Sequence, residues 1–245
     1  MAEVRAYREK LYAKYATLQV PNWLQTTDKG LKINNGAIAR RLRGWLPAAK
    51  DVSCLDLGCG AGDLLLALRS MGFTNVAGVD GGPEQVRIAK SRNLDVVQGD
   101  IVDFLSKTER TFDLIFAFDV IEHFTKDEVL DLLALIHTRL SPGGRLILQT
   151  PNAISPWASH YRYGDLTHEL IFSPECLATT LRMSDLIPIG IREVAPYPHG
   201  LVSSVRWLLW KLIWASYAAR NYIESGSSYG GVYTRNMLIC AVKER

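Results

Sequence analysis

Short apolar runs and longer amphipathic stretches alternate along this chain. Val52, Leu55 and Leu57 form an apolar strand pattern that enters a glycine turn at 58–62. Asp63 opens the run Leu64, Leu65, Leu66, Ala67 and Leu68, which predicts a helix to about Met71. Further strands are expected at 75–79, 95–98, 112–118, 145–150, 187–194 and 237–242. Between them the pattern predicts a helix over 84–92, opened by Pro83. A longer helix is expected over 126–140, with Val129, Leu132, Leu133, Ile136 and Leu140 inward. Pro142, Gly143 and Gly144 make a turn, and Ser173 and Pro174 form a cap and first position for another helix. An apolar helix over 202–219 precedes a flexible loop at 225–231. From residue 51 onward, this order is that of an α/β fold with a doubly wound, mostly parallel sheet.

The first part of the chain differs. Tyr7, Leu11, Tyr12, Tyr15 and Leu18 fall near helical spacing, and Pro21-Asn22 interrupts them. Trp23 and Leu24 follow, then a polar loop through Lys32. Asn34 or Asn35 is the expected cap of a second helix, with Ile38, Leu42 and Trp45 on one face and an end at Pro47. Residues 1–48 therefore read as a helical appendage, either the cover of a sheet edge or a lid over a site, and residues 49–245 as the α/β domain.

Composition narrows the picture. The 245 residues suffice for one α/β domain with an appendage. The net charge of +3 comes from interspersed residues, so no nucleic-acid footprint stands out. Cys54, Cys59, Cys176 and Cys240 have no paired spacing, which argues against a zinc site or disulfide framework and fits a reducing cytoplasm. The charged N-terminus lacks a signal-peptide core, and no stretch reaches ~20 uninterrupted apolar residues. The expected location is cytoplasmic, with the inner face of a membrane as a second place of work.

Candidate chemistry gathers at the carboxyl ends of the expected strands, where such sheets bind ligands. Gly58, Gly60 and Gly62 let the backbone turn sharply beside a ligand, next to a helix N-terminus with free N–H groups. A dinucleotide fingerprint wants glycine or alanine three residues after its second glycine, and Asp63 stands there. Asp56, Asp80, Asp100 and Asp119 mark the ends of strands one to four. An acid after strand two can accept ribose hydroxyls; one after strand three can accept an adenine amine beside Ile101. So many carboxylates suit a positively charged cofactor better than a pyrophosphate.

The motifs L-D-L-G-C-G-A-G, V-D at 79–80, G-D-I at 99–101, F-D-L-I-F at 112–116, D-V-I-E-H at 119–123 and L-S-P-G-G at 140–144 resemble the class I S-adenosylmethionine-dependent methyltransferases. The resemblance covers about residues 51–183. It implies a seven-stranded sheet whose antiparallel last strand lies between strands five and six. It implies S-adenosyl-L-methionine as cofactor, with Gly58 and Gly60 at its methionine part, Asp80 at the ribose, Asp100 at the adenine, and Asp119 with Val120 at the methionine side. Asp56, Gly81 and Ile101 complete that set. A nicotinamide oxidoreductase would share the glycine turn and Asp80 but leaves Asp100 and Asp119 unexplained. A non-catalytic cofactor-binding module would keep the acids and need no base.

Methyl transfer to a hydroxyl uses a base, and an imidazole serves near neutral pH. His123 follows strand four beside Glu122; His168 lies in Y-R-Y-G-D-L-T-H-E-L-I-F-S-P-E. This second stretch resembles a segment of ubiquinone-biosynthesis and glycan-modifying O-methyltransferases. His168 is the expected base, with Asp165 or Glu169 orienting its ring, and His123 nearer the methionine end. Asp165 and Glu169 beside His168 leave metal assistance open, but their spacing identifies no metal ligands, and none is assigned. The long segment 151–170 is the expected acceptor loop. Trp157, Tyr161 and Tyr163 offer aromatic surface there, and Arg162 could hold a phosphate or carboxylate. The leading acceptor is a sugar hydroxyl on a polysaccharide or lipid-linked glycan; the alternative is a small aromatic, quinone-like or lipid acceptor. Trp207, Trp210 and Trp214 form a stripe on the apolar helix. Three readings of that helix compete: core or homodimer packing, a wall for a lipid-like acceptor, and contact with a membrane surface.

Overall fold

A computed structural model describes residues 28–226 and 231–244. The expected helix over 1–20, with Trp23 and Leu24, lies outside the described residues. Seven strands form one sheet: β1 (Cys54–Leu57), β2 (Val76–Asp80), β3 (Asp95–Gln98), β4 (Phe112–Phe118), β5 (Leu140–Pro151), β6 (Leu186–Glu193) and β7 (Asn236–Lys243). Their order is β3-β2-β1-β4-β5-β7-β6. Neighbours among β1 to β5 are parallel, and β7 runs antiparallel between β5 and β6. This is the topology that the family resemblance implies.

The helices are α1 (Asp28–Leu42), α2 (Asp63–Ser70), α3 (Pro83–Ser91), α4 (Ile101–Lys107), α5 (Lys126–Arg139), α6 (Ala158–Gly164), α7 (Pro174–Arg182) and α8 (Leu201–Ser225). Strand side chains alternate between two cores, as a sheet covered on both faces requires. Leu55, Leu57, Ile115, Ala117, Leu146 and Leu148 pack with Val129, Leu132, Leu133 and Ile136 of α5 and with α7. Cys54, Leu114, Phe116 and Ile147 pack on the other face with α2, α3, and Ile38, Leu42 and Trp45.

Four elements depart from the pattern reading. Asn34 and Asn35 do not cap α1; the helix runs through them from Asp28, where a polar loop was expected. Contacts distant in sequence override the local signal: Gly36 lies against Tyr197, whose hydroxyl would stand 2.8 Å from a Cβ placed there. β5 starts at Leu140, which pairs with Phe112; the register then jumps to Leu114 opposite Arg145, so Ser141, Pro142, Gly143 and Gly144 form an excursion within the strand. The 151–170 segment contains α6, a helix without buried residues and hence without an apolar stripe to betray it. Finally, α8 extends to Ser225, past the expected end at 219, and stops at Gly226 in the left-handed conformation.

One side of α8 faces the domain. Ser203, Trp207, Trp210, Trp214 and Tyr217 are buried or half-buried, the Trp214 indole N–H donates to the Gly231 carbonyl at 2.7 Å, and Asn221 donates to the Tyr233 hydroxyl at 3.1 Å. Of the tryptophan stripe, Trp214 packs on the domain, its ring edge-on to Tyr233, and Tyr217 joins it there. The opposite side is apolar and exposed.

Candidate active site

The carboxyl ends of β1 to β4 meet at one rim. After β1 the chain enters Gly58, Gly60 and Gly62, all at positive φ (67°, 51° and 87°). A Cβ on Gly58 would lie 2.7 Å from Val120, whereas nothing lies within 4 Å of a Cβ on Gly60. Gly60 thus turns a bare backbone flank toward open space. Asp80, at the end of β2, binds this turn: its Oδ2 accepts the Gly60 N–H at 2.8 Å, and its Oδ1 accepts the Gly82 N–H at 2.7 Å. Its carboxylate spans two loops while the second lone pair of each oxygen stays available. Asp56 is 3% exposed, and burial followed by the Asp80 charge pushes its carboxyl well above the usual range. Gly81 adjoins Asp80 on the exposed rim. Asp100 caps α4, accepting the Asp103 N–H at 2.9 Å, and is exposed, with half-buried Ile101 next to it.

Beyond β4 the backbone of Asp119 takes φ 54°, an uncommon left-handed conformation for a residue with a Cβ. Two amides fix its carboxylate: Gln149 donates to Oδ2 at 2.8 Å, and Asn236 donates to Oδ1 at 3.1 Å. Gln149 Oε1, Asn236 Oδ1 and Arg41 Nε are buried without a hydrogen-bond partner. Arg41, from α1, carries its charge close enough to interact with Asp119. Unpaired buried polar atoms are costly, so several around one carboxylate are groups that a polar ligand or an ordered water could pair.

The histidines adjoin this place. The rings of His123 and His168 lie 4.9 Å apart in an edge arrangement. His168 Nδ1 stands 2.6 Å from the Tyr161 carbonyl, which can only accept, so this nitrogen carries the proton and leaves Nε2 its lone pair. His123 Nδ1 stands 2.8 Å from the Thr167 hydroxyl, which donates to Asp165 Oδ1 at 2.6 Å. That hydroxyl is therefore an acceptor toward His123. Burial pushes the Asp165 carboxyl up, but the Thr167 hydroxyl and amide, then the two histidines, outweigh it and hold it below its usual value. Glu122 is fully buried; its Oε2 accepts the Thr150 hydroxyl at 3.0 Å, and its Oε1 has no partner. Burial, then the Asp119 charge, pushes this carboxyl well above its usual range. One atom each of Glu122, His123 and His168 falls within 4.8 Å of the others, so these three could also hold a divalent cation.

One expectation needs correction. The His168 ring is oriented by the Tyr161 carbonyl, while Asp165 reaches His123 through Thr167. Arg162 spends one of its five guanidinium N–H groups on the His168 carbonyl and lies over the Tyr163 ring, which is 82% exposed. Of the aromatic set, Trp157 and Tyr161 are drawn together by the Arg235 guanidinium, 5.5 and 5.9 Å from their ring centres. Arg41, Thr167, Asn236 and Gln149 were not singled out from sequence. For Gln149 a signal existed: a polar residue closing the apolar strand run R-L-I-L-Q.

Residues 30–186 match the family model described as a methyltransferase domain. A ribosomal protein L11 methyltransferase of Janthinobacterium sp. (strain Marseille) is 28% identical over 60% of this chain and 54% of its own length. A mitochondrial ubiquinone biosynthesis O-methyltransferase of Dictyostelium discoideum is 25% identical over 42% of this chain and 36% of its own. The chain thus spans about half the length, or less, of these relatives. A crystal structure of a SAM-dependent methyltransferase from Archaeoglobus fulgidus superposes with a TM-score of 0.63 at 21% identity, covering 85% of this chain and 94% of that one, which shows the shared fold. The chain belongs to the methyltransferase-domain family, and its fold is that of the S-adenosylmethionine-dependent methyltransferases.

Proposed function

We propose that this enzyme methylates a hydroxyl oxygen, with His168 as the base that takes the hydroxyl proton. One observation carries the reading: the His168 Nδ1 proton is committed to the Tyr161 carbonyl, which leaves the Nε2 lone pair as the proton acceptor beside Asp119. S-adenosylmethionine supplies a methyl group on a positively charged sulfur. The chain's own residues hold that cofactor, orient the acceptor and accept its proton. Gly58 and Gly60 give it a backbone flank without side chains, and the open side of Gly60 fits a ligand lying there. Asp80 binds the ribose through its remaining lone pairs, and Asp100 and Ile101 take the adenine. Asp119, Val120 and the orphaned Gln149, Asn236 and Arg41 atoms suit the charged methionine end. Asp56 and Gly81 shape the rim between them. Asp165, through Thr167, fixes the His123 ring beside the base.

For the acceptor, the Trp157–Arg235–Tyr161 cluster favours a ring with polar substituents, and a saccharide hydroxyl is the first choice. The ubiquinone-biosynthesis relative supports oxygen as the methylated atom and a quinone-like ring as the second choice. A third reading, a protein acceptor, follows from the ribosomal protein L11 methyltransferases among the relatives. Release of S-adenosylhomocysteine from the wild type and His168→Ala, measured with saccharide, catechol and ribosomal-protein acceptors, tests the assignment. Turnover on a hydroxyl acceptor that His168→Ala loses is the expected result; turnover confined to amine acceptors overturns it.

A further inference from the structure

We propose that the outer face of α8 rests on an anionic phospholipid surface. This goes beyond the hydroxyl-acceptor reading and does not depend on it. At about 100° per residue, Leu201, Val205, Leu208, Leu209, Leu212 and Ile223 fall on one side of the helix. They are 83, 49, 57, 52, 65 and 84% exposed. The opposite side, with Ser203, Trp210 and Trp214, is the one held against the domain. The helix is thus held along one side and presents to water an apolar strip from Leu201 to Leu212, with Ile223 further along the same side, more than scattered surface leucines.

The charge pattern selects the occupant. Residues 201–223 contain Arg206, Lys211 and Arg220 and no acid; Glu224 is the first. Arg206 and Lys211 stand at opposite borders of the strip. The Lys211 ammonium lies 5.8 Å from the ring centres of both Trp207 and Trp214, which keeps it at its border. Long cationic side chains flanking an apolar strip place their heads at lipid phosphates while the leucines enter the acyl boundary. A second copy of this chain suits the face less well, because an isologous pair sets cationic borders against each other. No helix among the described residues is long and apolar enough to cross a membrane, so α8 lies in the plane of the surface. It also lies beyond the matched family segment, which ends at residue 186.

Vesicle flotation of the full chain tests this, using neutral phosphatidylcholine and phosphatidylcholine with roughly a third phosphatidylglycerol. The wild type is expected to float with the anionic vesicles and to remain behind with the neutral ones. Leu208→Glu/Leu212→Glu is expected to lower that partitioning at least ~10-fold. Arg206→Gln/Lys211→Gln is expected to weaken it and flatten its salt dependence. Unchanged S-adenosylhomocysteine binding by each variant shows that the domain is intact. Absence of flotation, equal flotation of the Leu208/Leu212 variant, or a wild-type dimer that this variant converts to monomer without any vesicle binding overturns the proposal.

Discussion

Gln149 holds Asp119 by two routes: its side-chain amide donates to the Asp119 carboxylate at 2.8 Å, and its backbone carbonyl accepts the Asp119 N–H at 2.9 Å. The pair fixes both the direction of the carboxylate and the left-handed backbone that carries it. Gln149→Leu removes the side-chain donor and keeps the backbone bond. It is expected to destabilise the protein by about 1–3 kcal/mol and to weaken S-adenosylhomocysteine binding. Thermal melts and calorimetry check both effects, and a variant with wild-type affinity argues against Asp119 as a cofactor residue.

Asp80 holds Gly60 and Gly82 as well as its assigned ribose. Asp80→Ala therefore loses ligand contacts and loosens the turn that receives the ligand. The expected loss is about 1.5–3 kcal/mol for each charged hydrogen bond, seen as a rise in the dissociation constant for S-adenosylhomocysteine. An unchanged constant by calorimetry removes Asp80 from the site.

Gly60 and Gly62 sit in one turn and should respond differently to alanine. Both are at positive φ, which costs an alanine about 1–2 kcal/mol. At Gly62 the new Cβ also overlaps the Leu94 side chain, so Gly62→Ala should lower Tm further by forcing a shift in the core. At Gly60 the Cβ meets nothing within 4 Å. Gly60→Ala should keep more of its stability and lose cofactor affinity. Equal affinity losses with equal Tm would show that the open flank is not a ligand surface.

His168→Ala should lower kcat by about 10²–10⁴, the range for general-base catalysis, while leaving cofactor affinity near that of the wild type. Thr167→Val cuts the link between Asp165 and His123 and keeps His168 on Tyr161. Its expected effect is the smaller of the two. If Thr167→Val costs as much as His168→Ala, the base is His123.

Dialysis against a strong chelator separates base from metal chemistry at the Glu122, His123 and His168 cluster. With His168 acting as the base, turnover after dialysis should equal that before. A loss restored by a divalent cation would assign the three residues to a metal.

The strands were the most legible part of the chain. β3 and β4 lie where apolar runs predicted them, and Ser173 caps α7 through the Cys176 N–H at 3.1 Å. These signals are local. The beginning of α1 was not legible, because Asn34 and Asn35 look like caps until Tyr197 is brought against Gly36. The same holds at the site. Asp80 and Asp119 are marked by strand ends, but the partners that aim them are distant in sequence. Thr167 meets His123 across 44 positions, and Asn236 meets Asp119 across 117. No periodicity encodes such pairs; they emerge only when the sheet is assembled.

The placement of β7 has a consequence for biosynthesis. This strand, made after the other six, is inserted between β5 and β6 and brings Asn236 to Asp119. Until the ribosome has released it, the emerging chain can assemble only the parallel part of the sheet, with β5 left as an open, aggregation-prone edge. The nascent chain also lacks one of the two amides that hold Asp119. Completion of the active site is thus tied to the arrival of the last strand, and a partly synthesised chain is expected to be a client for chaperones before it is an enzyme.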